Sequence, residues 1–74
     1  MNTVSVEFLT SNGFRSVQFP DGWYWLRQYT AGYYLQVDEK RETFTEVDSG
    51  WIEELTDQQF VELVNAHDAA IKQN

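Results

Sequence analysis

Seventy-four residues with five Lys or Arg against twelve Asp or Glu carry a formal charge of −7, which opposes binding to a polyphosphate chain or an anionic membrane. The absence of Cys excludes a disulfide framework and thiolate metal or redox chemistry. A chain that is 42% hydrophobic with twelve aromatics is expected to fold as one domain over residues 1–74, with a single core layer and no separate catalytic lobe.

The opening residues Met1 to Val6 show no basic leader followed by an apolar stretch. No window approaches the roughly 18 apolar residues of a membrane span. The expectation is a cytoplasmic protein with no membrane partner.

The front of the chain reads as short strands set between turns. Val4, Val6 and Phe8 alternate with Ser5 and Glu7, a period-2 pattern that predicts a first strand. Asn12-Gly13 predicts the hairpin turn after it, because both residues tolerate positive φ. A returning strand from Phe14 to Phe19 follows, with Val17 and Phe19 on one face. Pro20-Asp21-Gly22 is a second turn. Trp23 to Thr30 is rich in strand formers, and beyond Ala31-Gly32 a further strand runs from Tyr33 to Val37. The charged run Asp38 to Glu42 connects it to a short strand from Thr43 to Val47, closed by Asp48-Ser49-Gly50.

The period then changes from 2 to 3.6. Thr56-Asp57-Gln58-Gln59 has the form of a capping box, with Thr56 as N-cap and Gln59 reaching back. Phe60, Leu63, Val64, His67 and Ile71 form one stripe on a helix expected from 57 to 72. Such a stripe must cover one face of the sheet. The predicted fold is α+β: a small antiparallel meander of four or five strands, within about 3–47, packed against one C-terminal helix. Phe60, Leu63, Val64 and Ile71 should meet Val4, Val6, Phe8, Val17 and Phe19 in the core.

Sites for chemistry are scarce. One His and no Cys cannot supply a conventional zinc site, and the acidic run lacks the calcium-loop pattern. His67 lies on the apolar stripe with no nucleophile placed beside it, so a boundary histidine packed on its ring is the simpler reading. Glu53-Glu54 and the Glu46/Asp48 pair could be nominated as catalytic carboxylates, but so small a layer offers no cleft to grip a sugar ring. Phosphate-loop, dinucleotide and nucleophile-elbow motifs are missing. No enzyme, metal or cofactor is expected.

Two features exceed the needs of a fold. Trp23, Trp25 and Tyr29 alternate onto one strand face while Tyr24 and Leu26 take the other, and Tyr33 and Tyr34 divide in the same way. Aromatics on both faces surpass what one helix can cover, so the surplus is exposed, partner-covered or gathered into a second small core. Charge is the other feature. Residues 1–37 are neutral overall, while ten acids against three bases in 38–74 carry the whole −7. Asp38, Glu39, Glu42, Glu46, Asp48, Glu53, Glu54, Asp57 and Glu62 are expected to form one negative surface, either a solvated face that maintains solubility or a docking face.

The functional expectation is a small acidic protein-binding module, an inhibitor or adaptor that docks on a basic surface of another protein, a nucleic-acid-binding surface that it would meet as a DNA mimic being one candidate. It would not bind DNA or RNA itself. Trp23, Tyr24, Trp25, Tyr29, Tyr33 and Tyr34 would anchor the contact. In size and composition alone, the profile resembles the acidic, cysteine-free accessory proteins that bacteriophages and mobile elements use against host machinery. The alternatives are a module that stacks carbohydrate or bases on its aromatics, and a structural subunit that forms a homodimer through its sheet.

Overall fold

The capping box opens the C-terminal helix as its spacing requires. In the computed structural model, which describes residues 4–72 and side chains up to residue 70, Gln59 N donates to Thr56 Oγ1 at 3.1 Å. Thr56 N in turn donates to Gln59 Oε1 at 2.9 Å. The helix runs from Asp57 to Lys72 and is α2 below. Phe60 and Val64 are fully buried on its inner side, and Leu63 packs half-buried against the same cluster. The expected placement of the Ile71 side chain lies outside the described residues.

Five antiparallel strands form one sheet in chain order: β1 (Arg15–Phe19), β2 (Gly22–Thr30), β3 (Tyr33–Asp38), β4 (Phe44–Asp48) and β5 (Trp51–Leu55). The small α+β meander is as expected, but its two ends differ from the sequence reading. The segment read as a first strand is a helix, α1 (Val6–Ser11). Ser5 caps it, accepting a hydrogen bond from Phe8 N at 3.0 Å. Asn12-Gly13 is therefore a helix C-cap and no hairpin. Gly13 sits at φ 84°, its N–H donates to Thr10 O at 3.2 Å, and Phe14 N donates to Leu9 O at 2.9 Å. That pair of bonds is a Schellman closure.

Asp48-Ser49-Gly50 does not end the sheet. Ser49 and Gly50 adopt φ 50° and 90°, the two positive values of a tight hairpin turn, and the chain returns as β5. Strand number was right, while membership was shifted by one element.

Alternation fixes two faces. One cross-sheet row on the helix side is Trp25–Val37–Phe44–Leu55, and the next is Arg27–Leu35–Glu46–Glu53. Val4, Leu9, Phe14, Leu35, Val37, Phe44, Phe60 and Val64 make the core between this face and the helices. Phe60 is its hub, with the rings of Phe8, Phe14 and Phe44 at 6.5, 5.5 and 5.1 Å. Val17 and Phe19, expected in the core, point to the opposite face, because losing the first strand frees the register of β1. Val6 is 42% exposed, since Val4, just before the Ser5 cap, and Leu9, one turn into the helix, are the residues buried in its place.

Candidate functional site

The acidic residues follow from this register. Glu46 on β4 and Glu53 on β5 are directly opposite each other on the helix side. Asp48 pairs with Trp51 one row further along the hairpin. Glu62 on α2 looks down on the same region and lines a crevice with Glu46, Leu55, Gln59, Leu63 and Ala66. A second crevice at the hairpin is walled by Glu46, Asp48, Trp51, Ile52 and Glu53. Among the described residues no Lys or Arg lines either one. Like charges opposed across two strands destabilise a sheet, so this arrangement costs stability and serves no packing purpose.

The other acids stand elsewhere. Glu54 alternates onto the face away from the helices. Asp38, Glu39 and Glu42 belong to the loop at the far end of β4, around a cleft with Asp21, Trp23, Tyr24 and Lys40. Asp38 is also occupied: its Oδ1 accepts from Glu42 N at 2.6 Å and Thr43 N at 2.7 Å, closing the loop. Asp57 opens α2 after Leu55, at that same end. The nine acids thus divide into a hairpin group of Glu46, Asp48, Glu53 and Glu62, a group at the loop end made of Asp38, Glu39, Glu42 and Asp57, and Glu54 alone.

The aromatics divide as their alternation demanded. Trp25, Tyr29 and Tyr33 are half-buried against the core, while Trp23 is 45% exposed at the sheet's rim. Tyr24 and Tyr34 lie on the uncovered face, Tyr24 with Phe19 against its ring at 5.3 Å. Tyr29 occupies a bulge between Gln28 and Thr30, stacked on His67 at 4.3 Å with the Arg27 guanidinium 4.4 Å over its ring. Tyr33 donates its hydroxyl to Glu46 Oε2 at 2.7 Å and sits 3.0 Å from His67 Nε2. Burial, and then the bond to Glu46, push the Tyr33 phenol above its ordinary value. Burial does the same for Tyr29, whose hydroxyl is enclosed without a hydrogen bond. His67 is the ring-packed boundary residue expected, part of a cluster that ties β2, β3 and β4 to α2.

Two residues escaped the sequence reading. Trp51 is 82% exposed and Ile52 73% exposed on the sheet's β5 edge. They project to opposite sides of one strand beside the hairpin acids. Ser-Gly followed by an aromatic and a β-branched residue was the available signal. Among the described residues no group of three or more His, Asp or Glu is arranged to hold a metal ion, and no helix is long and apolar enough to cross a membrane. No family model matches the chain, and neither a curated protein nor a solved structure matches it.

Proposed function

We propose that this protein is a cytoplasmic binding module without catalytic activity, an inhibitor or adaptor that docks on a basic surface of a partner protein through its β4–β5 hairpin. The observation that carries this reading is Trp51, 82% exposed at an edge strand and flanked by Asp48, Glu53 and Glu46. A large ring left in water is the residue type that anchors interfaces, and the carboxylates around it select a cationic partner and speed encounter. A nucleic-acid-binding groove is one such partner surface, and carboxylates lodged there would block it. Pull-down from a lysate at low and high salt, with mass spectrometry, tests the reading. The supporting result is a protein released by salt that neither Trp51→Ala nor the Asp48→Lys/Glu53→Lys/Glu62→Lys variant retains. Retention of the same protein by both variants would reject the hairpin.

A second reading has its own observation. Trp23 and Trp25 line one cleft with Val6, Ser16, Glu39 and Arg41, a setting in which a sugar ring or a base could stack on indole. Tryptophan fluorescence titrated with oligosaccharides and with short single-stranded oligonucleotides distinguishes it. A saturable change lost in Trp23→Ala would move the function to this cleft.

A further inference from the structure

We propose that the open edge of β5 receives one extended, basic segment of the partner protein, which adds to the five-stranded sheet as a further antiparallel strand. The inference rests on the hairpin docking proposed above and names the form in which the partner binds.

The backbone makes the first half of the case. Ser49 and Gly50 form a two-residue turn, so Asp48 and Trp51 exchange the first pair of hydrogen bonds in the β4–β5 ladder. Alternation then turns the N–H and C=O groups of Trp51, Glu53 and Leu55 toward β4, and those of Ile52 and Glu54 outward. β5 ends the sheet, and among the described residues no backbone group bonds to Ile52 or Glu54 from the open side. Residues 51–54 are all exposed. Such a row of free donors and acceptors is a template for another strand, and edges are ordinarily blunted by Lys, Pro or a bulge. β5 has neither residue, and its register with β4 is unbroken.

Charge selects the occupant. β4 and β5 hold Glu46, Asp48, Glu53 and Glu54 and no Lys or Arg. Among the described residues Glu53 and Glu54 have no ion-pair partner. Being adjacent, they point to opposite faces of the sheet. A strand lying about 4.8 Å away must therefore carry cations at two successive positions to meet both. Its next residue lies over Ile52 and should be β-branched. The one after lies over Trp51, where an Arg can stack on the indole beside Asp48. Along the antiparallel partner the pattern is basic, basic, β-branched, Arg. β1, the other edge, holds Arg15 and no acid, so the same strand is not drawn there.

A second copy of this chain fits the edge poorly. Two-fold pairing of β5 with itself must be centred on Ile52, Glu53 or Glu54, so that outward groups meet outward groups. Centring on either glutamate sets it directly against its own copy. Centring on Ile52 overlaps little more than residues 51–53, with Glu53 against Trp51 and Glu54 against Gly50, and supplies no cation.

The probe is a peptide blocked at both ends, Thr-Arg-Lys-Val-Arg-Thr, titrated into the isotope-labelled protein and followed by the NMR shifts of its backbone amides. The Ile52 and Glu54 amides should shift saturably, and binding should weaken as salt rises. In the proposed register the first Arg of the peptide lies over Glu54, the Lys over Glu53 and the Val over Ile52. N-Methylation of that Arg or of the Val removes an N–H that donates to β5, and should weaken binding by about tenfold or more. N-Methylation of the Lys between them, whose N–H faces away, should change it by less than about twofold. On the protein, Ile52→Pro removes an outward N–H that the β4 ladder does not use. It should weaken binding as strongly with an unchanged circular dichroism spectrum. The N-methyl series on the parent protein decides should that variant lose its fold. No saturable shift of the two amides overturns the proposal. So does binding indifferent to the position of the methyl group, which would leave hairpin docking standing without the added strand. Undiminished binding by the Asp48→Lys/Glu53→Lys/Glu62→Lys variant overturns both. A parent that dimerises in sedimentation equilibrium, where Ile52→Pro does not, would give the edge to a second copy instead.

Discussion

Glu46 and Glu53 face each other across β4 and β5 on the side of the sheet that α2 covers, and among the described residues only Glu46 has its charge engaged, by the Tyr33 hydroxyl at 2.7 Å. Directly opposed like charges cost a sheet on the order of 0.2–1 kcal/mol. Glu53→Lys should therefore raise stability by about that amount, measured as a higher urea midpoint with an unchanged slope. The same substitution should weaken the proposed docking. A variant no more stable than the parent would mean that solvent already screens the pair.

Phe60 is the residue on which the two helices and the sheet converge. Its ring is fully buried and touches three other aromatic rings from α1, the α1–β1 junction and β4. Truncation to Ala at such a site costs about 3–5 kcal/mol, a large part of what a domain of this size holds. Phe60→Ala should lose the cooperative thermal transition. Leu63→Ala, one position from the buried face and half-exposed, should keep it with a lowered midpoint. Equal effects would show that α2 sits differently on the sheet.

Gly13 tests the segment that the sequence reading took for a first strand and its hairpin turn. At φ 84° it holds a backbone conformation that side chains avoid, and a Cβ there would stand 3.3 Å from Arg27 Nη1. That guanidinium donates a hydrogen bond to the Asn12 carbonyl, so the cap and β2 are joined at this point. Gly13→Ala should destabilise the protein by about 1 kcal/mol or more. Were Asn12-Gly13 a hairpin turn, Ser5→Ala would be silent. With Ser5 as N-cap it should cost about 1 kcal/mol, read from thermal or urea unfolding.

The misreading has a physical origin. Val4, Val6 and Phe8 satisfy a period of two, while Val4, Phe8 and Leu9 satisfy a helix, and a segment of six residues is too short for either pattern to exclude the other. Asn-Gly suits both a hairpin and a helix C-cap, since each needs positive φ. Tertiary packing decided: only the helix carries Val4 and Leu9 together onto Phe60. α2 was legible because its stripe and its capping box agree over sixteen residues. The central strands were legible because strand formers, alternation and turns coincide there. The hairpin acids were recognised by type, but their division by face depended on β5, which the Ser49-Gly50 turn conceals when read as an ending. Trp51 and Ile52 were overlooked for the same reason.

The tyrosine cluster makes stability depend on alkaline pH. Tyr33 and Tyr29 are both raised above the ordinary phenol value of 10.0, in each case chiefly by burial. The unfolded chain therefore releases these protons at a lower pH than the folded one. Their contribution is complete below pH 10 and falls as pH rises from there toward the folded values, because the native state then binds more protons than the unfolded state. Urea unfolding followed from pH 8 to 11.5 should give a plateau and then a decline. Tyr33→Phe keeps the ring and removes one titrating group along with its bonds to Glu46 and His67. It should lower stability on the plateau by about 0.5–1.5 kcal/mol and make the decline shallower, with Tyr29 and the Asp21-bonded Tyr24, both also raised, responsible for what remains. A Tyr33→Phe curve that runs parallel to the parent's above pH 10 would show that the Tyr33 phenol titrates alike in both states, and that its bond to Glu46 is made and lost without cost.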